Sequence, residues 1–128
     1  YWAGWSYDAP KITKGWVVGQ DHLEAFLNEK LARLGLNAKE ISDFNEYWLT
    51  RLHAEGAPKY KIMFLDQEEF NRLAPLRVEG EKRPDHVIRV VMYAQPYVGS
   101  EMLPPQSLPE TPSRDGFTVV EWGGSLLK

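Results

Sequence analysis

One arginine and one carboxylate sit among apolar neighbours in two β-like runs, and their placement has chemical consequences. Alternation puts Arg89 on the same face as Val87, Val91 and Tyr93, and Glu121 on the same face as Phe117 and Val119. A charge among buried apolar side chains is costly unless it is paired and hydrogen-bonded. The pattern therefore predicts that Arg89 and Glu121 lie on neighbouring strands and form a structural ion pair. An arginine stabilises the ionised form of the carboxylate beside it, which suits an anchor of strand register better than a general acid. Glycoside hydrolysis needs two carboxylates across a cleft. One helix cannot supply both, so a catalytic reading would need Asp43 or Glu46 to face Glu121.

Aromatic residues are the second candidate group. Five tryptophans and six tyrosines are many for 128 residues. Trp2, Trp5 and Tyr7 cluster outside any periodic element, while Tyr93 and Tyr97 flank the start of a proline-rich stretch. Exposed aromatics beside polar groups give apolar contact area at low entropic cost. Trp5, Tyr97 and Tyr93 are therefore the candidate ligand-binding residues, against the alternative that each simply packs on the core. Trp48 and Trp122 fall in phase with core positions.

Other chemistries find little support. His22, His53 and His86 show no metal-ligand spacing on one element, such as two histidines at i and i+4. A three-histidine site for an oxidase or lyase would have to assemble in space. No glycine-rich phosphate loop is present, because Gly123-Gly124 has too little chain after it to start a helix. No Gly-x-Ser-x-Gly nucleophile elbow exists. With no cysteine, thiol catalysis, zinc–thiolate sites and disulfides are excluded. The reading expects no cofactor and no metal.

The elements that must position these residues are written in the spacing. Asp21 to Glu24 reads as a capping box, followed by an apolar stripe of Leu23, Phe26, Leu27, Leu31 and Leu34, with Gly35 as the left-handed terminator. Asn37 to Glu40 is a second box, with Leu36 and Ile41 as a staple, opening a stripe of Ile41, Phe44, Trp48, Leu49 and Leu52. So short a link predicts a tight helical hairpin. Along the second helix, Glu40, Asp43, Tyr47 and Arg51 form a polar flank. Strands are expected at Gly15–Val18, Tyr60–Leu65, Val87–Tyr93 and Phe117–Trp122, the last closed by Gly123-Gly124. Asp66 to Glu69 suggests a third box opening a short helix through Phe70 and Leu73. The irregular order favours an α+β fold, a mostly antiparallel sheet packed against an N-terminal helical hairpin.

Composition sets the outer bounds. Residues 1–128 make one globular domain, with the Pro-rich stretch 95–114 as a long internal loop. A net charge of −3 argues against a general nucleic-acid binder. No apolar run is long enough to span a membrane. The chain begins at Tyr1 rather than at methionine, so any upstream signal or anchor is expected to have been removed from view.

Several of these runs occur together in one known pattern. They are Phe26-Leu27-Asn28-Glu29-Lys30-Leu31 through Leu34-Gly35-Leu36-Asn37, then Glu40-Ile41, Asp43-Phe44, Tyr47-Trp48-Leu49 and Arg51. With Tyr1-Trp2, the Tyr60–Leu65 run, Ile88-Arg89-Val90 and the ending Gly116 to Gly124, the chain resembles an uncharacterised family of small bacterial extracytoplasmic domains, secreted or lipoprotein-associated. The Val120-Glu121-Trp122-Gly123-Gly124 ending is the most distinctive part. Asn45 after Asp43-Phe44, and Thr50 where proline is expected before Arg51, depart from the pattern without touching the fold argument. The resemblance implies an extracytoplasmic location and assigns no catalytic residue.

The resulting expectation is a non-catalytic binding module for a protein or glycan. The alternative is a small acid/base hydrolase acting on a polysaccharide or cell-wall glycan through a carboxylate pair.

Overall fold

The computed structural model describes residues 2–3, 11–66 and 84–127. In chain order its elements are β1 (Trp2–Ala3), β2 (Trp16–Gly19), a single 3-10 turn (Gln20–His22), α1 (Leu23–Leu34), α2 (Ala38–Glu55), β3 (Lys59–Phe64), β4 (His86–Tyr97) and β5 (Thr118–Leu126).

The leucines spaced along α1 (Leu23, Leu27, Leu31 and Leu34) are all buried, as are Phe44, Trp48 and Leu52 on α2. Gly35 ends α1 at φ 109°. Its N–H donates to Ala32 O, and the Leu36 N–H donates to Leu31 O, which is a Schellman closure. Asn37 then starts α2 with a reciprocal box: its side chain accepts from the Glu40 N–H, and Glu40 accepts from the Asn37 N–H. The first expected box is absent. His22, not Asp21, stands at the cap of α1, and no side chain bonds there. The reason lies in the preceding turn. Gln20 is drawn to α2 and β3, with its N–H on Pro58 O and its side chain on His53 Nδ1, so residues 20–22 wind more tightly than the helix. The third box and its helix lie outside the described residues.

Strand order in the sheet is β1-β5-β4-β3-β2. The β2–β3 and β3–β4 pairs are antiparallel, whereas β4–β5 and the two-residue β1–β5 pair are parallel. The architecture is thus α+β with a mixed sheet. Parallel neighbours need a crossover connection of a dozen or more residues, and the long segment after Tyr97 supplies it.

Both helices pack on the face carrying Tyr60, Ile62, Phe64, Ile88, Val90 and Met92. The opposite face holds a smaller cluster of Ile12, Val91, Tyr93 and Leu127, with Leu103 against it. Strand β4 lies mid-sheet, and its run from Ile88 to Ala94 is buried on both faces. The strand runs on to Tyr97, four residues past its expected end, through Pro96. Leu65 N–H bonds Val91 O, so odd residues of β4 face β3, and the missing N–H of Pro96 points the other way. There β5 has already ended its pairing at Ala94, an edge position where proline is tolerated.

Strand β5 is also longer than expected and contains Gly123-Gly124 instead of stopping at them. The indole of Trp48 lies on this stretch. A β-carbon at Gly124 would stand 2.6 Å from Met92 O and 2.9 Å from Trp48 Cζ2.

The segment after β4 is a strap that wraps one end of the sheet. Leu103 packs on the second face, Pro104 O accepts from Gly15 N–H, and Gln106 Oε1 accepts from Phe64 N–H at 2.9 Å. Leu108 reaches the helix-side core, Arg33 Nε donates to Pro109 O at 3.0 Å, and Pro112 sits against Gly35. Arg114 closes the strap on Gly35 O (2.8 Å) and on both Glu40 oxygens (2.7 and 3.1 Å).

Candidate functional site

Strands β4 and β5 bring Arg89 and Glu121 together as register partners on the face away from the helices. Arg89 Nε donates to Glu121 Oε2 at 3.1 Å, with the side chains 4% and 21% exposed. Arg89 also borders a cleft of about 360 Å³ at the end of β3, walled by Phe64, Asp66, Gln106 and Leu108. The guanidinium there is already engaged with a carboxylate, which fits an anchor for two parallel strands.

Asp43 and Glu46 are exposed on α2, and Asp43 Oδ2 lies 3.3 Å from Lys39 Nζ. Because α2 packs on one face and Glu121 projects from the other, the sheet stands between them. The carboxylate pair weighed for hydrolysis is therefore not assembled from these residues. The histidines do not converge either. His53 bonds Gln20 beside the exposed His22, whereas His86 begins β4 at the opposite end of the sheet. Among the described residues, no group of three or more His, Asp or Glu side chains is close enough to hold a metal ion.

The aromatic candidates separate. Trp5 lies outside the described residues. Tyr93 is buried in the second-face cluster, so it is a packing residue and not part of an open surface. The cause is the extra length of β4, which carries the strand end four residues beyond it.

Tyr97 is that end. Its ring is half-buried, with Lys61 Nζ 4.5 Å and Lys59 Nζ 5.9 Å from the centroid. Its hydroxyl accepts from the Glu101 N–H at 3.1 Å, which folds the start of the strap over it. Val98, directly after it, and Met102, just past Glu101, are 83% and 74% exposed. An aromatic ring, two lysine ammoniums and two exposed apolar side chains thus share one corner, held at its base by strand pairing and at its tip by the Tyr97 hydroxyl.

Val98 and Met102 were not among the sequence candidates. They belong to no periodic pattern, and their only signal is an apolar side chain in an otherwise polar, proline-rich run. The lysines were not candidates either, although the alternation Lys59-Tyr60-Lys61-Ile62 puts both on one side of the strand. The ion pair that closes the strap was also missed, since residues 40 and 114 share no local pattern. Burial alone would raise the Glu40 pKa. The bonds from Arg114 and from the Asn37 N–H outweigh it and hold the carboxyl below the usual range.

No protein-family model, curated protein or solved structure matches this chain.

Proposed function

We propose that the domain is a non-catalytic, extracytoplasmic interaction module that binds a partner protein through the Tyr97 corner. One observation carries the reading. Val98 and Met102 are almost fully exposed on a loop that is pinned, not free. Large apolar side chains held out in water on a fixed support lose little entropy on binding, and they gain from leaving water. Lys59 and Lys61 beside Tyr97 add a cationic rim. The pairing of Arg89 with Glu121 supports an architectural role for this sheltered pair of charges. The extracytoplasmic location rests on the resemblance of the Val120–Gly124 ending and its companions. Fractionation of cells producing the natural protein tests it.

A photo-crosslinking side chain placed at position 102, with position 39 on α2 as control, tests the binding surface. The expected outcome is one protein species captured from position 102 and not from 39, and lost when Tyr97→Ala and Val98→Ser are added. Equal capture from both positions, or none, rejects the reading. Binding of the intact domain to a glycan array, abolished by Tyr97→Ala, would replace the protein partner with a glycan.

A further inference from the structure

Among the described residues, the edge of the sheet formed by β2 is open. Gln20 N–H donates to Pro58 O, which fixes the phase of the β2–β3 ladder: Trp16 and Val18 turn their backbone groups to β3, and Val17 and Gly19 turn theirs outward. The outward N–H of Gly15, one step earlier, is taken by Pro104 O of the strap. Beyond that point no strand lies against β2 among the described residues. Val17 and Gly19 therefore present N–H and C=O groups in strand geometry, with no backbone partner among the described residues.

Edge strands are commonly guarded by charges on the strand itself. Here β2 reads Trp-Val-Val-Gly and carries none. The charges lie around it. Lys11 and Lys14 precede it, Lys59 and Lys61 are the register partners of Gly19 and Val17, and Lys30 sits 4.8 Å over the Trp16 ring. The nearby carboxylates are Asp21, Glu29 (3.4 Å from Lys30) and Glu101. Among the described residues, five lysines against three acids make this edge cationic in a chain of net charge −3.

We infer that the edge of β2 receives an extended acidic segment of the partner protein as an added strand, with backbone bonds to Val17 and Gly19 and carboxylates among Lys14, Lys59 and Lys61. Strand addition takes affinity from the main chain and specificity from alternate side chains. The uncharged strand supplies the first, and the flanking lysines supply the second. The inference rests on the reading of the domain as a binding module; it shares Lys59 and Lys61 with the Tyr97 corner, but its backbone bonds are to Val17 and Gly19 and not to the Val98–Met102 surface.

The probe is the peptide acetyl-Glu-Val-Glu-Val-Glu-Val-amide added to isotope-labelled domain, with amide hydrogen exchange read residue by residue. Exchange at Val17 and Gly19 is expected to slow at least tenfold, with smaller changes elsewhere and loss of the effect in high salt. The same peptide with its central valine replaced by proline, or with lysine in place of glutamate, is expected to leave those amides unchanged. Val17→Pro removes an outward donor while sparing the β3 ladder, and should cut affinity at least tenfold. Should that variant not fold, Lys14→Glu with Lys59→Glu gives the second reading, again with at least a tenfold loss. Unchanged exchange at Val17 and Gly19, equal effects from the lysine peptide or an oligonucleotide duplex, or full binding by folded Val17→Pro each overturns the inference. If crosslinking from position 102 still captures a protein, the module reading survives that failure; if it too captures nothing, both fall.

Discussion

At Gly124 a single missing atom has a calculable effect. Its missing β-carbon leaves room for the Trp48 indole on one side and Met92 O on the other. Adding that carbon forces backbone and ring apart, and overpacking of this kind costs about 1–3 kcal/mol. Gly124→Ala is expected to lower the urea midpoint accordingly. With Trp48→Phe added, the two losses should sum to less than their separate values, because the smaller ring vacates part of the contested space. Arg89 is the second such residue. Truncating it to alanine removes the guanidinium that Glu121 meets across the β4–β5 pair, at a cost of about 3 kcal/mol. Glu121→Gln keeps an acceptor for the guanidinium and should cost about 1 kcal/mol. A loss from Glu121→Gln as large as that from Arg89→Ala would mean that the charge, and not the hydrogen bond, carries the contact. The Arg89–Glu121 contact was readable from alternation, since two charges on apolar faces have few affordable solutions. The role of Gly124 was not. Glycine pairs signal turns by default, whereas here pairing with β4, beneath the indole of Trp48, keeps this pair inside a strand.

At the level of elements, the strap is held largely by side chains reaching for backbone. Gln106 replaces a strand neighbour for Phe64, Arg33 reaches out from α1 to Pro109 O of the strap, and Arg114 of the strap reaches Gly35 O at the end of α1. Its one strong ionic contact, Arg114 with Glu40, makes its closure dependent on pH. The folded-state pKa of Glu40 is depressed, because Arg114 and the Asn37 N–H together outweigh the opposing effect of burial. A depressed carboxylate contributes stability above its unfolded pKa, about 4.3 for a free glutamate, and loses it as pH falls through the lower folded value. The wild type should therefore lose stability in acid more steeply than Glu40→Gln, which cannot ionise but can still serve as the third residue of the capping box. Urea midpoints measured between neutral pH and pH 3 check this. Parallel acid limbs would show that the contact contributes nothing. Helix α2 and its cap were legible in the sequence, because a box and a stripe are local patterns. The start of α1 was not, since the bonds of Gln20 to Pro58 and His53 override the local signal of Asp21 and Glu24.

For the whole molecule, local periodicity named every strand longer than two residues among the described residues, but not how they pair. Strands β2, β3 and β4 follow the antiparallel expectation. Strand β5 runs parallel to β4 because the chain first returns along the sheet, and only the length of the Pro-rich segment hinted at that return. The consequence is a domain tied together at long range. Trp122 at the end of the chain packs on Phe44 with ring centroids 5.3 Å apart, and β5 pairs with β4 along nine residues. Every contact that fixes the strap to the body downstream of Met102 lies on the β5 side of the exposed tip at Ser100. A protease site inserted at Ser100 should therefore be cut readily, because the tip is exposed. The two pieces should stay together, since Pro104, Gln106, Arg114 and all of β5 still bind the larger fragment. A nicked protein that elutes as one species, and separates only in denaturant, is the expected result. Adding Arg114→Ala and Gln106→Ala should lower the denaturant concentration needed for separation more in the nicked than in the intact chain. In the nicked form the strap no longer has covalent continuity to keep those contacts near their partners. Separation of the pieces without denaturant would mean that pairing of β5 with β4 depends on the covalent crossover, and that the strap is a connection and not a fastening.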